Sequence, residues 1–311
     1  MRKSILKVWI VVVALAVSAL AADRGVLVRE ANIYISPDST AAKLVTAERG
    51  REFAVLDKTN GWLQIIVEIT RPMQETRAVT GWILDKGVVF KNTPNGDQII
   101  FGEAVDSETQ ASSTGGRKGA AGDARRLYYR VYDYFPQSPL AGEGLYRSAD
   151  IQWQLDKEDI DSRKSHRSLD EVERPKVDEE NMKLVEKKFP HTKWADLAVY
   201  HRLENKLCGD WQALSKCPEK ETEYFLKYAE EHPDSPRVAE ALYNAAYRYA
   251  ALIELYRGEG NAKKSDESAP KAIAIAQRVI AKNASADWNA RAQRLIFLVQ
   301  NKVPVYGNTV E

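Results

Sequence analysis

Cysteine and histidine are scarce in this chain of 311 residues, which holds two of the first and four of the second. The histidines are His166, His191, His201 and His232, and none stands in a His-Glu-x-x-His or other metal-binding spacing. No carboxylate or cysteine completes a ligand set around His191 and His201, so neither a metal nor another cofactor is expected. Gly-x-Ser-x-Gly is absent, which leaves no hydrolase elbow. GGRKGAAG (115–122) and GEGNAKKS (258–265) lack the phosphate-loop pattern. An enzyme is therefore not expected. A surplus of charge is missing too: the formal charge is +1, which gives no reason to expect nucleic acid or an anionic membrane surface as partner.

Long apolar runs are limited to one. Val8–Leu20 spans 13 residues, short of the roughly 20 a helix needs to cross a bilayer. Arg2, Lys3 and Lys7 precede it and Ala19-Leu20-Ala21 closes it, the layout of a secretory signal peptide over residues 1–21. Loss of those three basic residues takes the charge from +1 to −2. No cysteine follows the run, so lipid anchoring is not expected. The mature chain is expected to be periplasmic or secreted, with no membrane span. In such an oxidising place Cys208 and Cys217 read as a disulfide, worth about 2–3 kcal/mol on the chain-entropy argument. A redox pair would have Cys-x-x-Cys spacing.

What is present is 44% hydrophobic and 29% charged residues, a globular composition with room for two or three domains. Residues 23–91 alternate short β-rich runs, VLVRE, ANIYI, REFAVLD, WLQIIVE, RAVTGWIL and VVF, with turn chemistry at SPDS, ERG, KTNG and DKG. Short strands this close together predict a small barrel, since a flat sheet would leave exposed edges. Residues 92–122 are rich in Gly, Ser and polar residues and read as a flexible linker, although QIIFGEAV (98–105) is apolar enough to pack on something.

From 123 to 302 the period is helical and a repeat appears. FPQSPLAGEGLYRSADI, FPHTKWADLAVYHRLEN and HPDSPRVAEALYNAAYR align on Pro136, Pro190 and Pro233. Ser138, Thr192 and Ser235 follow two residues on, as candidate N-caps, with Pro139 and Pro236 in the first turn. Small residues follow at the next helix's contact face, Gly144, Ala198 and Ala241 among them, and then Tyr146, Tyr200 and Tyr243. IAKNASADWNARAQRL, with Asn283 at the proline position, is a degenerate fourth copy. Each unit predicts a helix hairpin, and stacked hairpins make a solenoid. The prolines are 54 and 43 apart, against about 34 for a tetratricopeptide unit. The copies therefore carry insertions: a charged one at 157–180, expected to be a solvated extension or loop, and the cysteine loop. Residues 303–311 form a tail.

Residues 31–39, 43–65 and 79–83 resemble the bacterial SH3-like (SH3b) domain. Asn32, Pro37, Gly50, Gly61, Trp62, Gly81 and Trp82 match its pattern, while Tyr34, Ile35 and Ser36 replace its usual Arg-Ser-Gly. The proline-centred units resemble the tetratricopeptide (TPR) repeats of envelope proteins in outer-membrane barrel-assembly and Tol-Pal systems, with Phe135, Phe189 and His232 where those have Tyr. The resemblances imply a multidomain chain: a small all-β SH3-like barrel, then an all-α TPR-like helical-hairpin solenoid. In an SH3-like barrel the two Gly-Trp pairs are turn glycines with indoles that cover the barrel's open end. Alternatively, Trp62 and Trp82, with Tyr34, are exposed ligand contacts. Tyr128, Tyr129 and Tyr132 are either core or an aromatic groove for a peptide. The implied function is a non-catalytic adaptor that binds envelope proteins or peptidoglycan. The alternative is an accessory or targeting subunit of a cell-wall hydrolase system.

Overall fold

A computed structural model describes residues 23–70, 75–167, 173–282 and 285–307. The signal peptide expected at 1–21, Asn283 and the His166 side chain lie outside the described residues. The chain divides into two compact units between Lys91 and Asn92: a strand unit followed by a helical unit.

The strand unit is one antiparallel sheet of β1 (Arg24–Leu27), β2 (Ala31–Tyr34), β3 (Lys43–Ala47), β4 (Glu52–Thr59), β5 (Trp62–Ile69), β6 (Arg77–Leu84) and β7 (Val88–Phe90). The strand order is β3-β2-β6-β5-β4-β1-β7. β3 was not among the runs read as strands. Its KLVTA pairs with β2, and a bulge at Ile33/Tyr34 breaks the clean alternation that sequence reading relies on. In β5, Leu63, Ile65, Val67 and Ile69 are buried while the residues between them are not, which is the period of two that a one-sided sheet requires. These side chains, with Leu27, Ile33, Phe53 and Ile83, form the core of the unit.

The helical unit comprises α1 (Gly96–Ser112), α2 (Ala120–Tyr134), α3 (Ala141–Ser162), α4 (Lys164–Arg167), α5 (Glu180–Lys188), α6 (Lys193–Glu204), α7 (Lys216–Glu231), α8 (Val238–Gly258), α9 (Ala262–Ala281) and α10 (Ala286–Gln300). Consecutive long helices pack on one another. The expected linker at 92–122 is therefore corrected. Most of it is α1, whose Ile100, Ala104 and Ser107 are buried along one face. Phe101 meets Tyr128 edge-on at 5.3 Å, Tyr128 donates a 2.6 Å hydrogen bond to Glu108, and Ser138 donates to Asp97 at 2.6 Å. Polar composition hid a narrow apolar stripe, and loop remains only at 92–95 and 113–119.

The proline-centred units share one backbone device. α2, α5 and α7 end at Phe135, Phe189 and His232, whose φ/ψ are −128/60, −128/54 and −127/58. Each cap N–H bonds the carbonyl four residues back, and the proline that follows cannot continue the helix. Thr192 caps α6 as expected, accepting from the Ala195 N–H. Ser138 and Ser235 differ: their hydroxyls accept from Leu140 and Arg237, two residues on, and brace the turn before the helix. Gly144, Ala198 and Ala241 are all buried at helix contacts.

The insertions are more ordered than their charge implied. Residues 157–162 continue α3. Val177 donates to the Asn205 side chain at 3.1 Å and accepts from it at 2.9 Å. Cys208 and Cys217 are bonded to each other, and their loop is clamped from outside. Glu221, 1% exposed, accepts from the Cys208 N–H (2.7 Å), the Trp211 indole (3.1 Å) and Arg248 (2.7 Å). The tail docks on the same loop: Tyr306 lies 5.1 Å from Trp211, and Tyr247 donates to the Val305 carbonyl at 3.2 Å.

Candidate functional site

The two Gly-Trp pairs sit in different backbone settings. Asn60 and Gly61, with φ of 41° and 79°, make the two-residue turn that joins β4 to β5, where Asn-Gly is the favoured pair. Gly81 is not a turn residue. It lies within β6, where a Cβ would come within 2.7 Å of the Tyr34 carbonyl and 2.6 Å of Ile33. The first glycine supplies a conformation, and the second supplies space for β2 to cross.

The indoles likewise depart from the expected cap over an open end. Their strand neighbours Leu63 and Ile83 point into the core, so Trp62 and Trp82 point to the opposite face. Tyr34 pairs with Trp82 across β2 and β6, and Trp82 pairs with Gln64 across β6 and β5. Tyr34 meets Trp62 edge-on at 5.7 Å. Three half-buried aromatic rings thus share one outer face. Leu84, opposite Trp62, is 44% exposed at its margin. Polar groups border the rings: Asn32 donates to the Tyr34 hydroxyl at 3.5 Å and accepts from Thr46 at 2.9 Å.

The structure does not assemble Tyr128, Tyr129 and Tyr132 into a groove. Tyr128 is fully buried, and its hydroxyl is engaged by Glu108 and Arg147. Desolvation raises its pKa, and the adjacent Glu108 raises it further. Tyr132 packs on Phe189 at 5.9 Å, leaving Tyr129, 37% exposed, as the surface residue of the three. Helical spacing placed the tyrosines around the helix without saying which side α1 covers.

Two features escaped sequence reading. One is the buried imidazole of His201, which shares a 3.1 Å hydrogen bond with the Tyr146 hydroxyl and lies 3.4 Å from Asp150 and 3.7 Å from Glu204. Desolvation depresses its pKa, against the pull of both carboxylates. The other is a cleft beside it, between α3, residues 174–177 and the start of the cysteine loop. No local motif marks either, because α3 and α6 are brought together only by packing. His232 is paired with Asp196 at 2.8 Å. Among the described residues no group of three or more His, Cys, Asp or Glu is placed to hold a metal, and no helix is long and apolar enough to cross a membrane.

No protein-family model matches the chain, and no curated protein does. A solved structure titled "DHF58 filament" is 17% identical, over 67% of this chain and 93% of that one, with a TM-score of 0.23. A superposition that poor defines no shared fold.

Proposed function

We propose that the chain is an exported, non-catalytic adaptor whose strand unit is an SH3-like barrel and whose helical unit is a TPR-like solenoid. The strand unit holds peptidoglycan, and the helical unit engages envelope proteins. The observation that carries this reading is the outer face of Tyr34, Trp62 and Trp82. Aromatic faces offer large apolar area with little conformational entropy to lose, and the bordering Asn32, Gln64 and Thr46 supply hydrogen bonds. A polymer of sugars and short peptides presents both kinds of partner surface.

Co-sedimentation of the mature full-length protein with purified peptidoglycan tests the reading. The wild type should pellet with the polymer. Trp62→Ser combined with Trp82→Ser should weaken binding by about tenfold or more, the scale of losing aromatic anchors. Circular dichroism of the variant should still show the helical unit intact. Undiminished pelleting of a folded double variant would remove the face from the account.

A further inference from the structure

The cleft beside His201 has a volume of about 270 Å³ and belongs entirely to the helical unit. Trp153, Ile160, Val177 and Leu207 supply apolar walls. Among its charged residues, Lys157, Arg174 and Lys176 outnumber Asp161 and Glu204 by one. Lys157 is bound to Glu204 at 3.0 Å, whereas Lys176 is exposed.

Trp153 is 2% exposed, and its indole N–H has no hydrogen-bond partner among the described residues. Native proteins rarely leave a buried donor unpaired, because it has given up its water for nothing. The half-buried indole of Trp211, by contrast, is served: it bonds Glu221 at 3.1 Å. The indole is a donor only, so what completes it must be an acceptor. An ionised acceptor forms the stronger bond, and the cleft's excess of positive charge favours one.

We propose that this cleft binds an apolar group ending in a carboxylate, which accepts from the Trp153 indole N–H while Lys176 supplies the compensating charge. The side chains of Ile160, Val177 and Leu207 receive the apolar part. Such a group can be a free small acid or the C-terminal residue of a peptide.

The test is a titration of the ¹⁵N-labelled full-length protein, following the indole N–H resonances by NMR. The probes are N-acetylleucine, N-acetylleucine amide, and a short alanine peptide ending in leucine with a free carboxylate. Trp153→Phe identifies the Trp153 signal by its loss. That signal should shift saturably with the acid. The amide should bind about tenfold more weakly, because it lacks the charge. Lys176→Gln, an exposed change that leaves the fold intact, should weaken binding of the acid and not of the amide. Tighter binding of the peptide than of N-acetylleucine assigns the ligand to chain termini, and the reverse assigns it to small acids. An indole signal that stays put with every probe, or an equal response to acid and amide, overturns the proposal. If Trp153→Phe fails to fold, the Lys176→Gln comparison decides the question alone.

Discussion

A single buried imidazole makes the stability of the helical unit depend on pH. Desolvation depresses the His201 pKa in the folded chain below its ordinary value of 6.5. The unfolded chain therefore binds the proton more readily, and stability is lost as pH falls below 6.5. Above that value His201 contributes no slope. Denaturant midpoints measured across this range should fall on the acid side, and His201→Gln should flatten that fall. Glu221 carries a larger load: Glu221→Ala would strand the buried Arg248, 8% exposed, at a cost of about 3–5 kcal/mol in urea unfolding. The sequence named His201 but showed neither its burial nor the role of Glu221, since a histidine and a glutamate in helices announce no partners until a second helix is laid against them. The Tyr34, Trp62 and Trp82 grouping was nameable from the sequence because all three lie in strands with strong β-character. Which face they occupy depended on register, which the bulge at Ile33/Tyr34 conceals.

Among elements, the most legible were those whose ends carry punctuation. Pro136, Pro190 and Pro233 marked three helix stops, and the three residues before them adopt nearly the same dihedrals. Small residues eight positions after each proline marked close helix contacts. Ala241→Leu should overpack one of them and cost about 1–3 kcal/mol, seen as a lowered helical transition in circular dichroism. If the transition does not move, Ala241 faces a contact with slack. α1 was illegible for the opposite reason: its buried stripe is Ile100, Ala104 and Ser107, one strong apolar residue in three, set in a stretch otherwise polar. The order in residues 174–177 was equally hidden, because it depends on the amide of Asn205, a helix and more away.

For the molecule as a whole, the division at Lys91 and Asn92 means that the helical unit begins with α1, and its two ends are finished differently. α1 packs mainly on α2, with Glu108 also reaching Arg147 of α3. At the other end, Val305 and Tyr306 are fastened to Tyr247 and Trp211, across the cysteine loop. Arrays of packed helices have stabilities that sum over neighbouring contacts, so they open from the end with fewer of them. The docked tail makes fraying directional. Amide hydrogens of α1 should exchange with solvent before those of α9, and the gradient should reverse when Tyr306→Ala unfastens the tail. A unit latched at one end unzips from the other, so thermal breathing within the helical unit is greatest in α1.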